Sequence, residues 1–176
     1  MKVVATPLAG VFLIEPAVHT DPRGFFMETW HRKRFAEAGL DSEFVQDNHS
    51  RSTRGALRGL HFQQPHAQVK LVRVVQGEVF DACVDVRRGS PTFGQAYWTT
   101  LSAENRRQMW IPAGFAHGFV TTSETAEFVY KCSDFYSQKD ERGVRWNDPA
   151  LAIPWPIADP IVTNKDATLP LLRDLT

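Results

Sequence analysis

Residues 79–86 constrain the fold most. They place Phe80, Ala82, Val84 and Val86 on one side of an extended chain and Asp81, Cys83 and Asp85 on the other. A period of two belongs to a strand and has no helical equivalent. Residues 126–132 repeat it, with Phe128, Tyr130 and Cys132 on one face, and 95–101 and 107–111 read as further strands. Gly and Pro punctuate the segments, in the turn at 88–91 and the tight turn set by Pro112 and Gly114. Residues 1–15 read as strand, turn, strand. Asp21, Pro22 and Gly24 form a turn signal with Arg23 at its tip, followed by an aromatic strand. The one predicted helix is 31–38, amphipathic and stopped by Gly39. Residues 44–50 begin apolar and turn densely polar; composition alone makes them a solvated loop, and 51–56 a connector. The tail from 137 is Pro-rich and irregular. Short, evenly spaced strands with few helices predict an all-β sandwich or barrel, most simply a jelly roll.

A chain of 176 residues suffices for one domain with a proper core, spanning 1–176. Twenty basic residues balance twenty acidic ones, so no field for nucleic acid or anionic membrane is expected. No run approaches the ~18 apolar residues of a membrane span, and no segment has the form of a signal peptide. Cys83 and Cys132 read as buried free thiols. The expectation is a soluble, cytoplasmic protein.

Chemistry concentrates in 57–77, where Arg58, His61, His66 and Lys70 precede an apolar strand ending at Gly77. Each alone would serve as a polar rim residue; together with two later stretches they suggest an active site, because polar groups beside apolar runs cost free energy unless paired or used. Pro112, Gly114 and His117 match the second signature of the cupin form of the jelly roll. The first signature is altered: His61 and His66 lie five apart, and Lys70 stands where an acidic ligand is expected. An ammonium repels a divalent ion, so a metal-free barrel is expected, with a metal cupin oxygenase as the competing reading. In such a barrel an imidazole is the natural base at neutral pH. A lysine can stabilise an enolate. A phenol can return a proton. Together they describe proton removal beside a carbonyl and reprotonation from the opposite face. Tyr130 shares a face with internal residues, so its hydroxyl is either tied structurally or used. Asp166 is a candidate to orient the imidazole.

The chain resembles the dTDP-4-dehydrorhamnose 3,5-epimerase family. The resemblance rests on Asp21, Arg23, Phe25 and Phe26; on Gln46, Asp47, Asn48 and His49; and on Arg58, Gly59, His61 and Gln63. It continues through Lys70 to Gly77, Pro112 to His117, Glu127 and Tyr130, and Gly143 to Pro149, in order over nearly the whole chain. It implies a cupin-type double-stranded β-helix jelly roll with a few short peripheral helices. It implies a homodimer with exchanged N-terminal strands, acting on a dTDP-4-keto-6-deoxy-sugar without cofactor or metal. His61 would be the base, Asp166 its partner, Lys70 the enolate stabiliser and Tyr130 the opposing acid. Arg23, Phe25, Phe26, Glu28, Gln46, Asp47, Asn48, Arg58, His117, Glu141 and Lys165 would bind the substrate, with Arg23, Arg58 and Lys165 meeting the diphosphate.

Without the resemblance, Arg23 and Lys165 would be a solvated tip and tail, and His117 a hydrogen-bonded rim residue. Three features depart from the family: Phe62 beside the base where many relatives have Tyr, Val69 before the lysine, and the trio Asp134, Phe135 and Tyr136. They leave the number of inverted carbons open. Inversion at C3 and C5 competes with inversion at one carbon, and with a sugar-binding cupin that performs no chemistry.

Overall fold

The computed structural model describes residues 1–175. Its strands are β1 (Lys2–Ala5), β2 (Phe12–Glu15), β3 (Val18–Asp21), β4 (Gly24–Met27), β5 (Gln46–Thr53), β6 (Leu57–Gln63) and β7 (Lys70–Gln76). They continue with β8 (Glu78–Asp85), β9 (Ala96–Ser102), β10 (Gln108–Ile111), β11 (Phe115–Thr121), β12 (Thr125–Cys132) and β13 (Glu141–Gly143). Two short helices, α1 (Arg32–Glu37) and α2 (Asn164–Ala167), complete the main elements. One sheet runs β1-β2-β10-β7-β12-β5 and the other β13-β6-β11-β8-β9, while β3 and β4 form a separate hairpin. Sequence-adjacent strands β5, β6, β7 and β8 thus alternate between the two large sheets. This is the jelly roll that the alternating pattern implied.

The interior lies between the sheets. Val72, Met109 and Phe128 from one sheet meet Val79, Cys83, Leu101 and Phe119 from the other, and Phe119 stacks on Phe128 at 4.3 Å. The two faces of 79–86 separate as the alternation predicts, but the face bearing Asp81, Cys83 and Asp85 is the inner one. The apolar face, with Val84 and Val86, turns outward and is covered by Val144, Leu151, Trp155 and Leu172 from the Pro-rich tail. The outer side of the other sheet is covered by Phe35 of α1, with Leu40 packing against Ile14, Leu71 and Trp110. Both cysteines are buried free thiols.

The polar stretch 44–53 corrects the sequence reading. It is not a loop and connector: β5 pairs along its length with β12, from Gln46 opposite Cys132 to Thr53 opposite Thr125. Its side chains are polar on both faces, because an edge strand at a barrel mouth meets a wet pocket on one side and solvent on the other. Polar alternating with polar leaves no period to detect. The tail also contains β13 and α2 where no regular element was expected. Thr163 caps α2 by accepting the N–H of Asp166 at 3.2 Å, and Ile161 bonds both Gly55 and Leu57 to dock this segment beside β6.

Two glycines let β6 and β11 approach at the level of the site. Gly59 has φ +121°, and a Cβ there would lie 2.6 Å from the Cα of Gly118. A Cβ on Gly118 would lie 2.5 Å from the carbonyl oxygen of Arg58. Both distances are too short for backbone neighbours to relieve. Gly118→Ala is therefore expected to lower unfolding free energy by on the order of 3 kcal/mol, measured by urea denaturation, whereas Gly89→Ala, with open space around its Cβ position but φ +83°, should carry only the left-handed backbone cost of about 1 kcal/mol.

Candidate active site

β6 and β11 place two imidazoles side by side, since His61 and His117 are register partners. Each has its own carboxylate. His61 Nε2 lies 2.7 Å from Asp166 Oδ1, and His117 Nε2 lies 2.9 and 3.0 Å from the two oxygens of Asp81. A carboxylate accepts, so Nε2 of His61 donates and the lone pair is left on Nδ1. Among the described residues Nδ1 of His61 has no partner. Asp166 is 4% exposed, and its second oxygen accepts the Gly59 N–H at 3.4 Å. Burial opposes its charge. The hydrogen bond and charge of His61, together with the Gly59 N–H and Lys165, outweigh that and hold its carboxyl below the ordinary value. Asp81 is fully buried, and burial pushes its pKa up against the opposing pull of His117.

The opposite wall comes from the other sheet. Lys70 opens β7 beside Cys132, and Tyr130 lies on β12 between Asn48 and Val72. Neither the ammonium of Lys70 nor the hydroxyl of Tyr130 has a hydrogen-bond partner among the described residues, so Tyr130 is not tied structurally. Burial lowers the pKa of Lys70, with Cys132, Glu141 and Asp81 acting the other way. Burial also raises that of Tyr130, which keeps the phenol protonated.

These groups line two connected hollows that share Asn48, His61, Lys70 and Tyr130. The larger, about 410 Å³, adds Arg58, His117, Phe119, Lys165 and Asp166. The smaller, about 90 Å³, adds Gln46, Gln63, Tyr136 and Glu141. Arg58 donates from Nε to Ser52 at 3.0 Å. Glu141 Oε2 accepts from both Lys165, at 2.6 Å, and the Tyr136 hydroxyl, at 2.8 Å. Gln46 donates to Asn48 at 3.1 Å.

The remaining sequence candidates lie elsewhere in this chain. Asp47 faces away from the pocket, because neighbours alternate along a strand, and its carboxylate meets Lys131 at 2.9 Å. Arg23 pairs with Asp21 at 2.6 Å on the β3–β4 hairpin, Phe25 lies under the guanidinium of Arg106, Phe26 is 72% exposed, and Glu28 meets Arg34 at 2.9 Å. His66 pairs with Asp140 at 2.8 Å. Asp81 and Gln63 were not anticipated as site residues. Asp81 carried a signal, an acid within an apolar alternating strand, but its pairing with His117 needs cross-strand register. Among the described residues no three His, Cys, Asp or Glu side chains converge as metal ligands would.

An oriented imidazole facing an unpartnered ammonium and a protonated phenol can deprotonate a carbon beside a carbonyl, hold the resulting enolate and reprotonate it.

The chain is similar to known proteins over nearly its whole length. The family model described as dTDP-4-dehydrorhamnose 3,5-epimerase matches residues 5–174. A dTDP-4-dehydrorhamnose 3,5-epimerase of Pseudomonas aeruginosa is 58% identical over 168 residues, covering 94% of this chain and 93% of that protein. Among solved structures, the dTDP-6-deoxy-D-glucose-3,5-epimerase of Legionella pneumophila Philadelphia 1 in complex with dTDP-4-keto-L-rhamnose superposes with a TM-score of 0.97 at 48% identity, covering 99% of this chain and 94% of that one. A 3′-monoepimerase of Streptomyces bikiniensis in complex with dTDP-quinovose gives 0.91 at 35% identity, covering 97% and 87%.

A half-buried ammonium without a partner costs stability. Lys70→Met is expected to raise unfolding free energy by about 1 kcal/mol while removing activity. The gain should be full below the lowered pKa of the folded lysine and shrink as pH rises towards 10.5, the ordinary value, because the penalty exists only while the group is charged. Thermal unfolding of both proteins across pH checks it; a variant less stable than the parent at neutral pH would contradict it.

Proposed function

The chain belongs to the dTDP-4-dehydrorhamnose 3,5-epimerase family, and from that premise we propose how its pocket performs the reaction. The enzyme is an isomerase acting on a carbohydrate. It converts dTDP-4-dehydro-6-deoxy-D-glucose to dTDP-4-dehydro-L-rhamnose by inverting C3 and C5. Both carbons flank the C4 ketone, so one enolate-stabilising site can serve both.

In this reading Nδ1 of His61 removes the proton from C3 or C5. Asp166 holds the ring in the productive tautomer and supports the imidazolium that forms. Lys70 stabilises the oxygen of the C4 enolate, and transfer of charge onto that oxygen relieves the desolvation of its ammonium. Tyr130 supplies a proton from the opposite face. The supporting observation is the 2.7 Å contact of His61 with Asp166 across a cavity from two polar groups that the fold leaves unpartnered. Arg58 and Lys165 on the rim suit the diphosphate, and Gln46, Asn48, His117 and Glu141 the sugar and nucleotide. The two large sheets share one interior, which supports treating 1–176 as a single epimerase domain.

Arg23, Phe25, Phe26 and Glu28 enter through a homodimer with exchanged N-terminal strands. What supports this is a hairpin that presents Arg23, 90% exposed in its side chain, and Phe26, 72% exposed, while Phe25 stays exposed with only Arg106 of its own chain over its ring. Asp47, on the outer face of β5, belongs to the same second set and is assigned to binding through the assembled dimer. The described residues contain no helix long and apolar enough to cross a membrane. Two free thiols suit a reducing compartment, which supports the cytoplasm.

Two outcomes are expected. In heavy water, proton NMR of dTDP-4-dehydro-6-deoxy-D-glucose with the enzyme should show loss of signal at both C3 and C5; exchange at one carbon would make it a monoepimerase. Mixing inactive His61→Asn and Arg23→Ala proteins under subunit exchange should restore roughly a quarter of wild-type activity, because half the sites in a mixed dimer are intact and half the dimers are mixed. No recovery would place the hairpin on its own subunit's pocket.

A further inference from the structure

We propose that Gln63 is a positioning residue for the sugar end of the pocket, acting through Tyr136; this rests on the reading of the pocket given above. Gln63 lies two residues after His61 on the same face of β6 and is 5% exposed. Its amide makes three hydrogen bonds. Nε2 donates to the carbonyls of His66 at 2.9 Å and Phe135 at 3.2 Å, and Oε1 accepts the N–H of Ser137 at 2.8 Å. Two carbonyls on one side and an N–H on the other allow only this orientation of the amide.

Between Phe135 and Ser137 lies Tyr136, whose N–H is taken by Oε1 of Gln46 at 2.8 Å. Three successive backbone groups are therefore held by two glutamines, one from each large sheet. Packing does little to hold this segment, since Phe135 and Tyr136 are 65% and 54% exposed. The backbone clamp fixes the Tyr136 phenol, whose hydroxyl reaches Glu141 and through it Lys165. Gln63, Tyr136 and Glu141 line the same hollow as His61, Lys70 and Tyr130. A ring bound there is aligned against the base by a wall that Gln63 keeps in place.

The surrounding loops have other anchors. Gln64 N–H bonds the carbonyl of Asp140 at 2.9 Å, Gln68 donates to that of Asp134 at 2.8 Å, and His66 pairs with Asp140. Loss of the Gln63 amide should thus loosen 135–137 without unfolding the barrel.

The test measures kcat and KM with dTDP-4-dehydro-6-deoxy-D-glucose for Gln63→Leu, Tyr136→Ala and the double variant. Displacing a wall by about 1 Å costs up to about a hundredfold, so Gln63→Leu should lose roughly tenfold to a hundredfold in kcat with a smaller change in KM. In the Tyr136→Ala background the same change should cost less than about twofold, because residues acting as a unit are not additive. Gln63→Glu supplies a second readout that survives poor folding of the leucine variant. Its carboxylate can accept from Ser137 but faces two carbonyls, and only the protonated acid, with its single O–H, can donate to one of them. Activity relative to wild type, measured at each pH, should therefore rise as pH falls. His61, His66, Lys70, Tyr136, Asp140 and Glu141 lie around the pocket in both Gln63 variants as in wild type, so the Gln63→Leu ratio, which should stay flat across the same pH range, is the control for the carboxylate at 63. Wild-type kcat in Gln63→Leu, full additivity with Tyr136→Ala, or a flat Gln63→Glu ratio would overturn the proposal. An inactive wild-type enzyme in the same assay would instead overturn the function.

Discussion

The hydrogen bond between His61 and Asp166 joins residues 105 positions apart, and much of the architecture serves to make it. Asp166 belongs to a four-residue helix that could not persist alone. It is delivered by a Pro-rich tail that first covers the outer face of the β13-β6-β11-β8-β9 sheet, then docks through Ile161 beside β6. Burial of apolar side chains in that cover is the driving force, and the carboxylate is carried into place with it. The close approach of Gly59 and Gly118 completes the arrangement, bringing His61 and His117 to the same level and directing the Gly59 N–H to the carboxylate.

The two walls of the pocket follow different rules. On the histidine wall each imidazole is paired through Nε2 with a buried carboxylate, which leaves Nδ1 of His61 open. On the facing wall Lys70 and Tyr130 are left without partners among the described residues. A fold selected for stability alone would fill or pair them. Leaving both open to one cavity makes sense if a substrate oxygen and a carbanionic carbon complete the network during turnover. The electrostatic stabilisation is then preorganised, and no side chain has to be released from a competing bond.

The β architecture was legible because its strands alternate strictly at 79–86 and 126–132. The proposed catalytic set could be nominated from sequence because His61, Lys70 and Tyr130 stand in strands where polar residues need a reason. Strand β5 was not legible, since Gln46 to Thr53 are polar on both faces and pairing with β12 is a long-range fact. Asp81 was missed for a related reason: it acts on His117 across β11 and β8, a neighbour that no sequence spacing gives. The family resemblance supplied Asp166, which the residues alone could only nominate. It also supplied Asp47 and the hairpin residues Arg23, Phe25, Phe26 and Glu28, which this chain does not bring to its own pocket. Gln63 stood in a segment that carries the family resemblance but had no role assigned to it, because its worth lies in bonds to the backbone of residues 66, 135 and 137.

The central claim is that one imidazole removes both protons. It is tested most directly by His61→Asn, which keeps the shape of the side chain and removes the base, assayed for deuterium incorporation at C3 and C5 separately. The account predicts that exchange falls at both carbons together, by about 10²–10⁴-fold, the contribution of a positioned acid–base group. Retained exchange at either carbon would mean that a second group, with the buried His117 and Asp81 pair foremost, deprotonates that position.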